Sequence, residues 1–210
     1  MNSQLNALDL QYPMADLFAH LHEVEPIGSH FKKLLPDCME PLEGPLPVNT
    51  ILLEAGRVAD SYWWMAAGYA RAYMLVPGKE PWEKKQVTIG FWKAGELVGA
   101  RDSFFRCKPS FYFIEFAAGC VLRSISYDGL QVMKQKTIET NELIAKVLCE
   151  DYAQITLRTE FLKQNAKTRY SAFLAHFDPK IEQVFELKAI ASYLVMDPTT
   201  LSNLRGQIAF

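Results

Sequence analysis

The sequence is short of the side chains that build metal and redox centres. It has four cysteines, Cys38, Cys107, Cys120 and Cys149, and no two of them form a Cys-x-x-Cys pair. That spacing argues against a structural zinc, an iron–sulfur cluster or a disulfide framework, and four reduced thiols are expected. The four histidines, His20, His22, His30 and His176, all fall outside residues 46–126. His20-x-His22 sits on a helical pattern, where an i, i+2 pair points to different faces, so it is expected to be packed or solvated. There is no Gly-x-Ser-x-Gly elbow, phosphate loop or dinucleotide fingerprint, and no enzymatic activity is expected.

Long apolar runs and one-sided charge are missing too. No stretch reaches the ~18 apolar residues a membrane helix needs, so no membrane partner is expected. Met1–Asn6 lack the basic start and apolar run of a signal peptide, and the expected location is the cytoplasm. Lys and Arg number 22 against 24 Asp and Glu, for a net charge of -2. A nucleic-acid contact would therefore have to come from a local patch. The chain has no internal repeat and no Ser/Gly linker.

What is present divides the 210 residues into three stretches. In the first, Leu17, Phe18, Leu21 and Val24 recur at helical spacing, and Phe31, Leu34 and Leu35 suggest a second short helix. Pro36, Pro41, Pro45 and Pro47 then stop helical continuation. Over 46–126, short apolar and aromatic runs alternate with turn signals. The runs are Thr50–Glu54, Tyr62–Ala67, Ala70–Val76, Gln86–Trp92, Phe111–Phe116 and Cys120–Ser126. The breaks hold Ala55-Gly56, Gly68, Pro77-Gly78, Ala94-Gly95 and Gly119. Evenly spaced strands with no intervening helical pattern predict an antiparallel barrel or roll. Trp63, Trp64 and Trp92 lie in strand runs and are expected in its core. A roll of this shape also serves the cupin metalloenzymes, but here its strands offer no imidazole ligand.

Over 134–166 the period becomes helical. Ile144, Leu148, Ile155 and Leu162 step by four, seven and seven, the seam of a helix that packs along another helix, with a second copy of the chain as the expected partner and the chain's own β-domain as the alternative. Over 168–210 three short helices are predicted, Arg169–His176, Leu187–Leu194 and Pro198–Arg205. Asp197 is a good N-cap, and Pro198 stands at the first helical position, where its missing N–H does no harm. A short helix, a three-residue turn and a capped helix make a helix-turn-helix pattern.

The order of these parts resembles the Crp/Fnr family of bacterial transcription regulators. Three stretches carry the likeness. Asn49–Gly56 followed by Tyr62–Tyr73 looks like the family's opening hairpins, with Gly56 and Gly68 as turn glycines. Gly95-Glu96-Leu97-Val98-Gly99 looks like its Gly-x-Phe-x-Gly turn. Leu187-Lys188-Ala189-Ile190-Ala191-Ser192-Tyr193-Leu194 with Pro198-Thr199-Thr200-Leu201-Ser202-Asn203-Leu204-Arg205 resembles the C-terminal end of short members. The resemblance implies an α+β chain. An N-terminal antiparallel β-roll (double-stranded β-helix or jelly-roll type), cyclic-nucleotide-binding-like, with its N-terminal helices covers 1–133. A dimerisation helix covers 134–166, and an all-α helix-turn-helix covers 167–210. With the chain ending at Phe210, the family's β-wing is not expected.

The implied function is transcription regulation by a homodimer on double-stranded DNA. Thr199, Thr200, Ser202 and Asn203 would face the bases, and Lys188 and Arg205 would hold phosphates. Thr199 and Asn203 stand where the family usually places Glu and Arg. In the roll, the implied effector pocket falls on Gly99, Ala100, Arg101, Ser110 and Tyr112. Cyclic-nucleotide-binding members have Glu after the second turn glycine and Arg ten residues later; here those places hold Ala100 and Ser110. A buried phosphate needs a charge-assisted partner, so cyclic nucleotide binding is not expected; no cofactor is expected, and any effector is unknown. The alternative is a sensor or interaction module without DNA binding, with a small-molecule pocket in the roll.

Overall fold

The computed structural model describes residues 7–78, 80 and 82–208. Three helices open the chain: α1 (Ala7–Gln11), α2 (Met14–Val24) and α3 (Ser29–Cys38). Leu17 and Leu21 of α2 and Phe31 and Leu35 of α3 are buried against one another, as their spacing predicts. Pro36 does not end α3, contrary to expectation; the helix runs on to Cys38. Near a helix end a proline removes only one ladder bond, and packing of Leu35 outweighs that loss. His20 stacks on Trp64 with ring centroids 5.1 Å apart, and His22 Nδ1 accepts the Ile27 N–H at 3.0 Å.

Seven strands follow: β1 (Thr50–Leu53), β2 (Ser61–Ala67), β3 (Tyr69–Pro77), β4 (Lys84–Lys93), β5 (Glu96–Val98), β6 (Phe113–Phe116) and β7 (Val121–Ser126). They form two antiparallel sheets, ordered β1-β6-β3-β4 and β5-β2-β7. The six expected strands are present; β5 and the helix α4 (Arg101–Arg106) are additional. Gly68, between β2 and β3, has φ 99°, and a Cβ there would lie 2.4 Å from Cys120 Sγ, so the hairpin needs glycine on both counts. Trp63, Met65, Ile114, Phe116 and Leu122 fill the roll, whereas Trp64 points from β2 to the opposite face and is buried against α2 and α3.

The expected helix over 134–166 is broken. α5 (Tyr127–Lys136) ends at Thr137, which is extended, and α6 (Glu139–Leu162) begins beyond it. No Gly or Pro marks the break. The Thr137 hydroxyl donates to the Met133 carbonyl at 2.9 Å and so satisfies the frayed end with its own side chain.

The C-terminal helices are α7 (Ala166–Phe177), α8 (Ile181–Val184), α9 (Leu187–Tyr193) and α10 (Pro198–Ile208). Their core is continuous with that of the roll. Phe91 of β4 is the centre: its ring lies 5.8 Å from Phe173, 6.0 Å from Phe177, 5.1 Å from Phe185 and 5.1 Å from Tyr193. Ser192 Oγ accepts the Thr88 N–H at 3.1 Å, Lys93 Nζ donates to the His176 carbonyl at 2.6 Å, and Arg71 lies over Phe185. Arg169 spans the next joint, donating to the carbonyls of Leu162, Gln164 and Val195.

Val195, in the turn between α9 and α10, has φ 52°. A β-branched side chain in left-handed backbone costs roughly 1–2 kcal/mol, and this one is exposed, so it recovers little by burial. Val195→Gly is therefore expected to raise stability by about 1 kcal/mol in urea unfolding; a loss would show that the Val195 side chain, not its backbone, holds the turn.

Candidate nucleic-acid interface and the interior of the roll

α9 and α10 are two short helices joined by the turn through Leu194–Asp197. Ala189, Ile190 and Ala191 of α9 are buried, as are Leu194 in the turn and Leu201 and Leu204 of α10. That arrangement leaves Thr199, Thr200, Ser202 and Asn203 exposed on the opposite face of α10. Asp197 caps the helix: its Oδ1 accepts the Thr199 N–H at 2.7 Å. This bond holds the carboxyl below its ordinary range, with a smaller contribution from the Lys85 ammonium.

The two cations expected at phosphates are placed differently from each other. Lys188 is exposed and pairs with Glu186 at 2.7 Å, a surface pair that phosphate can readily replace. Arg205 is half-buried, and its Nε lies 3.2 Å from Glu182 Oε1. The same Glu182 oxygen accepts the Tyr170 hydroxyl at 2.8 Å, and burial together with this carboxylate raises the Tyr170 pKa. Arg205 thus ties α10 to α7 and α8.

The five residues of the expected effector pocket cluster around α4, but they are packed. A Cβ at Gly99 would lie 2.2 Å from the Tyr62 ring, so here glycine serves close approach to an aromatic face. Ala100 is 1% exposed. The Ser110 hydroxyl donates to the Tyr112 carbonyl at 2.8 Å and accepts the Tyr112 N–H, so its polar capacity is used within its own turn. Tyr62 stacks against Phe104 and Phe105 at 5.5 and 6.1 Å. Its buried hydroxyl finds no partner among the described residues, and burial pushes its pKa up to about 12. Arg101 is half-buried, near enough to the Tyr62 and Tyr112 hydroxyls to favour their ionised forms against that burial. A narrow cavity of about 90 Å³ runs between Tyr62, Phe104, Leu130, Met133 and Ile144, smaller than the ~300 Å³ lower end of ordinary ligand sites.

The four seam residues separate along α6. Ile144 packs against the core, and Leu162 is half-buried. Between them Leu148, Tyr152 and Ile155 are 37%, 74% and 63% exposed. Spacings of four and three place these side chains on one stripe. Tyr152 falls outside the seven-residue steps, but it lies on the same helix face, between Leu148 and Ile155.

Comparison with known proteins turns on shape. No protein-family model matches the chain, and no curated protein matches its sequence. Solved structures do match over most of its length. One is the catabolite activator protein of Thermus thermophilus, with 14% identity, TM-score 0.54, and coverage of 90% of this chain and 86% of that one. FixK2 from Bradyrhizobium japonicum is similar at 13% identity and TM-score 0.63, covering 78% and 82%. DNR from Pseudomonas aeruginosa, described as a transcriptional regulator, is similar at 19% identity and TM-score 0.52, covering 98% and 89%. The chain has a Crp/Fnr-like fold, α+β, with antiparallel sheets and a helical C-terminal end.

Proposed function

We propose that this protein is a Crp/Fnr-type transcription regulator that binds double-stranded DNA as a cytoplasmic homodimer. Residues 1–133 form the sensor, 134–166 supply the dimer helix, and 167–210 read DNA. The observation that carries this reading is the polar, exposed face of α10 set on a fully apolar base. Thr199, Thr200, Ser202 and Asn203 project from it, backed by Leu201 and Leu204. Amide and hydroxyl side chains on one helix face can exchange hydrogen bonds with base edges in a major groove, Asn203 best with adenine. The stripe Leu148–Tyr152–Ile155 is the dimer seam. It brings two copies of α10 to one duplex.

The roll is a sensor that has lost the family's cyclic-nucleotide anchors. Ala100 and Ser110 stand in their places, and aromatic packing of Tyr62, Phe104 and Phe105 takes up the space. Salt dependence tests the reading. With about four phosphate contacts per dimer, affinity for duplex DNA should fall roughly a hundredfold for a fourfold rise in salt. Asn203→Ala should narrow the gap between preferred and unrelated sequences by about 1–3 kcal/mol. Affinity that ignores salt would contradict DNA binding.

One observation favours a second reading, a sensor module without DNA binding. Arg205 is engaged by Glu182, and Lys188 by Glu186, which leaves the reading end poor in uncommitted positive charge. Under that reading no duplex is bound at low salt.

A further inference from the structure

The hairpin of β3 and β4 packs on α9, the helix that precedes α10, although it belongs to the roll. β4 is fixed on α9 by the Thr88 N–H to Ser192 bond at 3.1 Å and by the Phe91–Tyr193 ring contact at 5.1 Å. Three residues before Thr88 stands Lys85. The five residues after Ser192 lead to Asp197, the cap of α10. The Lys85 ammonium adds a small favourable charge interaction to the Asp197 carboxyl, whose own oxygen is committed to the Thr199 N–H. Lys84 and Lys85 are both exposed. The hairpin is braced along the sheet as well. Arg71 on β3 donates to Gln86 at 3.0 Å and pairs with Glu115 of β6. The acidic residues of the hairpin, Glu80 and Glu83, belong to the turn beyond Lys84, further along the chain from the α9 anchor.

A helix that enters a major groove by its N-terminal end is flanked by phosphates, and a cation held rigidly beside that end meets them. We propose that the β3–β4 hairpin of the roll is a DNA-contacting element, with Lys84 and Lys85 holding the phosphate backbone beside the N-terminal end of α10. The element does what a wing does in other helix-turn-helix proteins, but it comes from the sensor domain. It also supplies the positive charge that α9 and α10 hold in short measure. The sensor sheet and the reading helix then grip DNA as one body, and a shift of β4 moves a DNA contact directly.

The proposal rests on the DNA-binding reading above, and the test separates the two. Binding of full-length protein to a fluorescent duplex is measured against salt for wild type, Lys84→Gln/Lys85→Gln, Lys85→Arg, and Lys32→Gln on α3 as a distant control. Two lost contacts per protomer, four per dimer, should cut the salt slope by about three to four and the affinity at moderate salt by at least a hundredfold. Lys85→Arg and Lys32→Gln should keep the wild-type slope. Wild-type binding with an unchanged slope in the double variant overturns the hairpin assignment alone. A wild type that binds no duplex overturns both readings.

Discussion

Phe91→Ala is expected to cost about 3–5 kcal/mol, the usual range for removing a buried aromatic ring. Phe91 is 6% exposed and meets four rings, Phe173, Phe177, Phe185 and Tyr193, from three separate helical segments. These rings cannot collapse into the vacated space independently, because Ser192 and His176 are held to the sheet on either side by Thr88 and Lys93. In a chain of this size the loss lowers the melting temperature by roughly 10 °C. Proteolysis should then cut first between the roll and α9, since the helices no longer share a core with β4. A cost under about 1 kcal/mol would mean that the C-terminal helices do not rest on β4 in solution. The coupling of the sheet to the C-terminal helices would fall with it.

Leu148→Asp combined with Ile155→Asp should convert the protein to a monomer without unfolding it. Both side chains are exposed in the single chain, so the substitutions leave its core intact. In a dimer seam the same positions would bury two carboxylates per chain against apolar neighbours, at several kcal/mol. Losing the link between two half-sites removes the gain of intramolecular second binding, about 10²–10⁴-fold. Sedimentation should report half the wild-type mass, and DNA affinity should fall by at least a hundredfold. A double variant that stays dimeric would place the seam elsewhere.

The parts of the fold governed by local pattern were legible in the sequence. Turn glycines such as Gly56 and Gly68 and the alternating runs located six strands within a few residues. Asp197-Pro198 marked the start of α10, because a cap and a first-turn proline are local chemistry. β5 was hidden because three residues, Glu96–Val98, give no periodicity. The break at Thr137 was hidden because a threonine, not a glycine or proline, makes it. α8 is a four-residue turn that the pattern over 177–186 does not announce.

The site was legible only on the helix itself. Thr199, Thr200, Ser202 and Asn203 follow from helical spacing once Leu201 and Leu204 are assigned to the core. The partner of Arg205 does not follow, because Glu182 is brought to it by the path of α8. Lys85 was beyond reach for the same reason. Its influence on Asp197 depends on packing between residues about a hundred positions apart, which the Phe91 cluster and the Thr88–Ser192 bond hold in place.

The most direct test of the central claim is selection of purified, folded protein against a random double-stranded DNA library at moderate salt. A DNA-binding homodimer should enrich a palindrome whose half-sites lie about one helical turn apart, the spacing of two copies of α10 in successive major grooves. A dimer that enriches no sequence would contradict that claim, and would make the roll and its aromatic interior the whole of the function.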